Sequence, residues 1–313
     1  MKIKEIDKNT ILSPLKVLSL FDGISCGMVA LERAGLTVDR YVAYEIDDNA
    51  IKVSKNNYPQ IEQCGDVITA DFSQYKGFDL IIGGSPCTNW SCAKNHTAKE
   101  KKERYINEGI GWELFKQYAR AIEEVQPKYF LYENNYRISE NIVNAITDIL
   151  GVEPIMINSA LVSAQNRRRL YWTNIPNVTQ PEDKGLVIRD IYIPDKSLER
   201  EDSRIAQTAI KTKNYIKYDI SNKGYYSQAH RLYYLDGKAP TQARCRTETK
   251  TNILLDEDTY RYKIISPVEC ERLQTLPDNY TAGLPKTRRF EVLGNGWTVD
   301  VIVHILRGIK CTN

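Results

Sequence analysis

The sequence predicts an α/β fold, with a mainly parallel sheet covered by helices on both faces and a smaller second lobe. Short β-rich runs alternate with stretches of helical periodicity through the first half of the chain. These runs are apolar throughout, which is typical of strands that are buried on both sides. After about residue 175 the chain becomes polar and rich in Tyr, Lys, Arg and Thr. Ligands of such sheets bind beyond the carboxyl ends of the strands, so the residues that follow each strand are candidates for a site.

The strands and helices of the first half follow one another in regular order. The clearest predicted strands are KVLSLF (16–21), RYVAYEI (40–46), FDLIIGG (78–84) and KYFLYEN (128–134). Weaker strands are expected to end near 64–66 and to lie near 153–159 and 168–173. Helices are predicted through GMVALERAG, through DDNAIKVSKNNY, over 138–150, and where Trp112, Phe115, Ala119, Ile122 and Val125 recur at helical spacing.

The pattern divides the chain into a main domain over 1–175, a smaller lobe over 176–262 and a return to the main domain over 263–313. The return is indicated by renewed helical periodicity in PVECERLQTLPDNY and RRFEVLGNGWTVDVIVHILRGI. Residues 91–109 form a long charged stretch, and a loop of that length in a compact domain is usually functional or disordered.

The composition is that of an ordinary globular protein. Of 313 residues, 42% are hydrophobic and 27% charged, and the net charge of +3 is only weakly basic. Seven cysteines without a CxxC pair indicate reduced thiols in a cytoplasmic protein, and three scattered histidines give no metal-binding spacing. No signal peptide and no membrane-spanning run is recognisable, so we expect neither a metal nor a membrane partner.

The first strand runs into the glycine-containing turn FDGISCG. Gly23 and Gly27 would let the backbone turn tightly into a helix and admit a ligand close to the main chain. Glu45 ends the second strand, where it could accept hydrogen bonds from both hydroxyls of a ribose. The turn is not a G-x-G-x-x-G phosphate cradle and has no basic neighbour, which favours S-adenosylmethionine over NAD. The alternative is an ordinary turn beside a solvated glutamate.

Asp66 lies where the short third strand should end. It could accept a hydrogen bond from the exocyclic amine of an adenine. A loop aspartate that caps the next turn is an equally good interpretation of the same spacing.

The stretch GGSPC places Cys87 just beyond a buried strand, behind Pro86, which stiffens its approach. A partly exposed thiolate near positive charge is a nucleophile, whereas most free cysteines are small buried hydrophobes. Glu133 and Asn134 end the neighbouring strand and should face the same crevice, where the carboxyl group could bond to a heterocycle. The alternative for Glu133 is a solvated strand-end acid.

The stretch AQNRRRLYW is strongly basic. On a strand, Gln165, Arg167 and Arg169 would project to one face and could contact phosphates or bases. A solvated basic edge strand is the alternative. In the smaller lobe, basic residues including Arg244 and Arg246 lie among tyrosines and could neutralise phosphates or read base edges, although a solvated lobe has the same composition.

Seven segments, in order, resemble the DNA (cytosine carbon-5) methyltransferases. They are LSLFDGISCG, YEID, GGSPCTNWS, YENN, AQNRRR, CERLQTLPDNYT and GNGWTVDVI. The resemblance covers nearly the whole chain except 176–262, and it implies a Rossmann-like S-adenosylmethionine-dependent methyltransferase sheet with a target-recognition lobe. It departs from the family pattern at Ser85, Thr88 and Asn135, none of which is a reacting group.

The resemblance implies a role for each matching position. Cofactor binding falls to Phe21, Gly23, Gly27, Glu45, Asp66 and Asn295. Cys87 matches the catalytic thiol, Glu133 the acid that contacts the target cytosine, and Gln165, Arg167 and Arg169 the element that positions base and backbone. Further substrate contacts are expected from Pro86, Asn134, Arg244 and Arg246.

The implied reaction is methylation of carbon 5 of a cytosine flipped out of double-stranded DNA, through a covalent cysteine adduct. A tRNA cytosine methyltransferase, a non-catalytic nucleic-acid-binding homologue and an NAD-dependent oxidoreductase are the alternatives. We further expect a monomeric, cytoplasmic protein encoded by a bacterium or phage, with a cognate restriction endonuclease acting separately.

Overall fold

The computed structural model describes residues 13–86, 90, 109–220, 228–244 and 251–311. Its main sheet has seven strands in the order β3-β2-β1-β4-β5-β7-β6. The strands are β1 Leu15–Leu20, β2 Val38–Tyr44, β3 Glu62–Gln63, β4 Leu80–Gly83, β5 Tyr129–Asn135, β6 Ile155–Asn158 and β7 Arg168–Thr173. Only the pairings of β7 are antiparallel in this sheet, so the expected α/β fold with a mainly parallel sheet is confirmed.

Eight α-helices occur in the described residues. They are α1 Cys26–Ala34, α2 Asp48–Asn57, α3 Ile110–Val125, α4 Glu140–Leu150, α5 Ile188–Ile191, α6 Pro267–Leu273, α7 Lys286–Asn295 and α8 Val299–Leu306. The helices predicted from periodicity are confirmed, including those of the C-terminal return. Among the helices of the described ranges, none combines the length and apolar character that a membrane crossing requires.

Local sequence signals explain where these helices begin and end. The Asp47 carboxylate accepts from the backbone amides of Asn49 and Ala50 and so caps α2. Gly35 ends α1 in the left-handed conformation, at φ +68°, and its amide bonds back into the last turn. Ser266 and Glu269 form a capping box at the start of α6.

Successive residues of each strand point into two different cores. Val17, Ala43 and Leu131 pack with α1 and the C-terminal helices on one face of the sheet. Leu18 and Tyr132 pack with α3 and α4 on the other face. This alternation buries the sheet on both sides. The parallel pairing of β1, β2, β4 and β5 brings their carboxyl ends to one edge.

A second, mixed sheet of six strands has the order β8-β13-β12-β11-β10-β9. Its strands are β8 Glu199–Glu201, β9 Ile210–Lys211, β10 Tyr215–Lys217, β11 Arg231–Tyr233, β12 Asn252–Asp256 and β13 Arg261–Ile264. Among the described residues, the buried core beneath it comprises Ile205, Ile216, Tyr218, Leu232 and Leu254. A core of that size stabilises little by itself, so its attachment to the main sheet matters.

A buried ion pair joins the second sheet to the C-terminal helices. Lys263, at the end of β13, donates to Glu269 of α6, and neither side chain is exposed to solvent. The same carboxylate accepts from the amide and hydroxyl of Ser266 and from the amide of Ile193. Because these bonds link β13, the segment at Ile193 and the start of α6, this cluster ties the second sheet to the main domain.

Candidate active site

The turn between β1 and α1 has three residues with positive φ. Phe21, Gly23 and Ser25 adopt φ values of 58°, 61° and 59°. Only glycine takes this conformation without cost, so Phe21 and Ser25 hold backbone strain that the surrounding structure must support. A Cβ added at Gly23 would meet nothing within 4 Å, so open space lies beside this turn.

Glu45 is held against this turn by the main chain. Its Oε2 accepts from the amide of Gly23 at 2.8 Å, and its Oε1 accepts from the amides of Ile46 and Asp47, both at 2.8 Å. A carboxylate has about four lone-pair directions. These three bonds orient the carboxylate and leave it able to accept from a ligand.

Asp22 is an ionisable residue of the turn that the sequence did not single out. Its carboxyl accepts from the hydroxyls of Ser19, Ser25 and Tyr41. Burial raises the pKa of Asp22 to about 6, while the hydroxyl bonds act in the opposite direction. The turn therefore contains a carboxyl group that titrates near neutral pH.

Gly27 and Asp66 each have a structural role in the folded chain that requires no ligand. A Cβ at Gly27 would collide with Ile82 of β4 and approach the Tyr41 hydroxyl to 2.8 Å, so glycine allows α1 to pack closely on the sheet. Asp66 accepts from the amide of Ile68 at 2.9 Å and caps the following turn, which is the second of the two sequence interpretations.

Two exposed isoleucines lie beside the strand-end acids. Ile46 directly follows Glu45 and is 71% exposed, and Ile68 follows Asp66 by two residues and is 55% exposed. Phe21 is half-buried at the neighbouring strand end. Exposed apolar side chains beside these acids suit a flat aromatic ligand. The sequence analysis did not single out Ile46 and Ile68, although an apolar residue within two positions of each acid could have indicated them.

Glu133 is bonded by two side chains from distant parts of the chain. Arg169 Nε lies 2.8 Å from its Oε1, and Trp297 Nε1 donates to its Oε2 at 3.1 Å. The Glu133 and Arg169 side chains are only 13% and 14% exposed. A Cβ at Gly84 would stand 2.9 Å from both the carbonyl oxygen and Oε2 of Glu133, so the end of β4 lies directly against this carboxylate.

Asn134 does not face the same side of the sheet as Glu133, contrary to the expectation from the sequence, because neighbouring strand residues point to opposite faces. Its side-chain amide donates to the Tyr132 hydroxyl at 3.0 Å and to the Ser85 carbonyl at 3.4 Å. The Ser85 and Tyr132 hydroxyls are 2.6 Å apart. This buried cluster anchors the segment that leads to the exposed Pro86. Cys87 lies outside the described residues.

Gln165 and Arg167 are buried, and they are not part of a strand face with Arg169. Gln165 makes an isolated bridge to Ala239, and β7 begins only at Arg168. Arg167 donates to the carbonyls of Gln242, Gly294 and Gly296. β7 is paired on both sides, so the alternative of a solvated edge strand is wrong.

Asn295 and Arg244 both lie at α7. Asn295 is exposed as the last residue of that helix. Arg244 donates to Glu291, a residue that the sequence did not indicate as a partner. Arg246 lies outside the described residues.

A cleft of about 700 Å³ opens between the two sheets. Of the described residues that line it, none is acidic, and five are basic: Arg137, Arg168, Arg169, Arg231 and Lys238. Tyrosines from both sheets line it as well. A polar cleft of this charge attracts polyanions.

Comparisons with known proteins agree with this arrangement. The model of the family described as C-5 cytosine-specific DNA methylase matches residues 15–311. Type II methyltransferase M.FnuDI of Fusobacterium nucleatum is 25% identical over 340 residues, which cover 95% of each chain. Orphan methyltransferase M.SPRI of Bacillus phage SPR is 30% identical over 172 residues, which cover 51% of this chain but only 37% of the relative.

The fold also matches solved structures. The S. pombe Dnmt2 methyltransferase superposes with a TM-score of 0.67 at 15% identity, over 96% of this chain and 99% of that one. An identity that low shows a shared fold only. The family model, by contrast, spans nearly all of the described residues and both ends of the site. The chain therefore belongs to the C-5 cytosine-specific DNA methylase family, whose members use S-adenosylmethionine.

Proposed function

We propose that this protein transfers a methyl group from S-adenosylmethionine to carbon 5 of cytosine in double-stranded DNA. The observation that carries the proposal is the Glu133 carboxylate, held by Arg169 and Trp297 at the sheet edge where β4 leads towards Cys87. Family membership indicates the reaction class, and the side chains described above are the groups proposed to carry it out.

The turn after β1 and its neighbours fit S-adenosylmethionine. The open space beside Gly23 admits a ligand, and the Glu45 carboxylate can accept from a ribose hydroxyl. Phe21, Ile46 and Ile68 offer apolar surface for an adenine ring. The bound cofactor would supply an electrophilic methyl group at this edge of the sheet.

Cys87 is the proposed nucleophile. Carbon 5 of cytosine is a poor nucleophile until a thiolate adds to carbon 6, which turns the ring into an enamine-like species. After carbon 5 has been methylated, loss of its proton and departure of the thiolate restore the ring. Ser85, which Tyr132 and Asn134 anchor, would fix where the Pro86–Cys87 segment starts.

Glu133 is proposed to contact the cytosine ring at nitrogen 3. A hydrogen bond there stabilises the charge that develops when the thiolate adds. Arg169 and Trp297 each occupy one oxygen of this carboxylate, so its orientation is set before the base arrives. Both oxygens retain lone pairs that can face the base.

The cleft between the sheets is the proposed DNA-binding surface, and residues 176–262 are the proposed target-recognition lobe between the two catalytic parts, 1–175 and 263–313. Its arginines would neutralise phosphates on both sides of the target. The cytosine must leave the base stack to reach Glu133, at a cost of a few kcal/mol.

The biological setting is part of the same proposal. Relatives from bacteria and phages include type II and orphan methyltransferases. They support a cytoplasmic enzyme of a bacterium or phage. We further propose that it acts as a monomer and that a cognate restriction endonuclease acts separately on the same DNA.

Bisulfite sequencing tests the proposal directly. DNA from a methylation-free host that expresses the protein should carry 5-methylcytosine within one short motif, and the Cys87→Ser variant should leave that DNA unmodified. Purified enzyme incubated with tritiated S-adenosylmethionine should label DNA and not tRNA. Label in tRNA alone, or unmodified host DNA with folded wild-type protein, would contradict the proposal.

A further inference from the structure

The segment 239–244, called the strap here, connects the second sheet to the basic residues that follow it. Pro240, Thr241 and Ala243 line the cleft, so one side of the strap faces the proposed DNA path. Its other side lies on the main domain. The position of the strap therefore shapes this wall of the cleft.

Polar bonds fasten the first part of the strap to the main domain. The amide of Asn166 donates to the Ala239 carbonyl at 2.9 Å. The amide of Gln242 donates to Gln165 Oε1 at 2.6 Å, and Arg167 donates to the Gln242 carbonyl at 2.9 Å. Gln165 and Arg167 are both buried, so these bonds are shielded from water.

Arg244 fastens the other end. Its Nε and Nη2 atoms lie 2.8 and 2.6 Å from Glu291 Oε1. Glu291 is 2% exposed, and the other oxygen of its carboxylate accepts from Arg288. A buried carboxylate is costly unless it is paired, so removing a guanidinium from Glu291 is unfavourable.

The main chain of the strap also touches α7 directly. A Cβ added at Gly294 would collide with the backbone of Ala243 and Arg244. Only glycine at this position lets the strap approach the helix so closely. The Arg244–Glu291 pair and the Gly294 contact lie side by side on α7, and together they hold this end of the strap.

We propose that Arg244 is a positioning residue that clamps the strap to Glu291, and that this clamp sets the DNA-facing wall of the cleft for sequence recognition. The inference rests on the proposed function and replaces the role of DNA ligand suggested for Arg244 by the sequence. Its Nε and Nη2 atoms are bonded to the buried carboxylate while the side chain is 43% exposed, so the variants below separate a clamp from a direct phosphate contact.

A cycle of variants distinguishes the two roles. The variants are Arg244→Gln, Glu291→Gln and the double substitution, compared on a cognate duplex and on a duplex with one base pair changed. If Arg244 is a clamp, each single variant raises KM for cognate DNA by on the order of tenfold with little change in kcat. Each single variant should also distinguish the cognate duplex less well from the duplex with one base pair changed. The double variant is then no worse than either single variant, because the residues act as one unit.

The salt dependence of DNA binding gives a second readout. A clamp leaves the slope of log affinity against log salt unchanged in all three variants. A phosphate contact instead predicts that Arg244→Gln lowers this slope by about 0.9, whereas Glu291→Gln, which frees the guanidinium, does not weaken binding. That second pattern would overturn the proposal.

Controls distinguish loss of the clamp from a general loss of folding and from failure of the proposed function. The exposed pair Arg189–Asp236, with side chains 58% and 76% exposed, provides matched Arg189→Gln and Asp236→Asn variants, which should leave KM unchanged. Non-additive shifts in melting temperature across the Arg244–Glu291 cycle should report the clamp without any assay of activity. Additive shifts would contradict it. A wild-type protein that methylates no DNA would instead refute the proposed function.

Discussion

In the proposed function, Glu133 and its two donors are the residues that hold the target base. Arg169 is 36 positions and Trp297 164 positions away in the chain, yet both bond to one carboxylate. Arg169 brings a full charge and Trp297 a neutral N–H donor. The arginine should therefore matter for charge at the site, and the tryptophan for the direction in which the free lone pairs point.

Replacing Trp297 tests this positioning role. Trp297→Phe removes the donor and keeps an aromatic ring, so kcat should fall about 10- to 150-fold, since a hydrogen bond to a charged group contributes about 1.5–3 kcal/mol. Steady-state kinetics on DNA would measure the change. The matched control is Trp172→Phe, which removes a bond to Thr147 away from the site and should lower stability but not kcat. Equal losses of kcat in both variants would contradict the role.

Asp22 should make stability depend on pH. Its pKa is about 6 in the folded chain against an ordinary value of 3.8, so the folded state binds the proton more tightly. The protonated Asp22 carboxyl stabilises the folded state fully below pH 4, and this stabilisation is lost as the pH rises through 6. The Asp22→Asn variant has no carboxyl at this position and so does not lose this stability. The free energy of unfolding of the variant minus that of wild type should therefore rise by about 3 kcal/mol from pH 4 to pH 7. Urea unfolding at both pH values measures it, and an unchanged difference would contradict it.

At the scale of elements, the order of strands and helices follows from local periodicity, and it was predictable. The direction in which individual side chains point was less predictable. Gln165 and Arg167 were expected beside Arg169, but β7 starts at Arg168, and a period of two has no meaning outside a strand. Their positions depend on the strap and on α7, which lie far away in the sequence.

The same reason explains which site residues the sequence could not identify. The pairing of Arg244 with Glu291 and of Trp297 with Glu133 arises only when the C-terminal helices return to the sheet. No local pattern encodes such contacts. The strand-end acids Glu45 and Glu133, in contrast, could be identified because strand ends meet at one edge in any sheet of this class.

The joint between the sheets should depend on its buried ion pair. Glu269→Gln leaves Lys263 buried without a full counter-charge, so the free energy of unfolding should fall by about 3 kcal/mol. Chemical denaturation measures the loss. Asp278→Asn, which breaks the more exposed pair with Arg272, is the control and should cost less than about 1 kcal/mol. Similar losses in both variants would show that the buried pair has no special part in the joint.

At the scale of the whole molecule, the two ends of the chain build one site. Tyr280 donates to the Ile24 carbonyl at 2.7 Å, and α8 packs against α1, so the C-terminal return supports the turn after β1. The second sheet is inserted between these two parts, and the basic cleft lies where it meets the main sheet. The proposed surfaces for the cofactor, the base and the DNA therefore adjoin one another.

The cleft should contribute a measurable share of the electrostatic affinity for DNA. Arg168 is exposed there, so Arg168→Gln should lower the slope of log affinity against log salt by about 0.9, as expected for one lost phosphate contact. Fluorescence anisotropy over a salt series measures it. Arg204→Gln removes an exposed arginine that pairs with Asp202 outside the cleft and should leave the slope unchanged. A reduced slope in Arg204→Gln alone would place the DNA elsewhere.

Covalent trapping is the most direct test of the central claim, which is that Cys87 adds to a cytosine that Glu133 holds. A duplex with 5-fluorocytosine at the target position has no carbon-5 proton to lose, so the adduct cannot resolve. With S-adenosylmethionine, the wild-type protein should form a denaturant-resistant complex with this DNA, and mass spectrometry should locate the bond at Cys87. An adduct that persists in Cys87→Ser, or none from a preparation that methylates the unmodified duplex, would contradict the account.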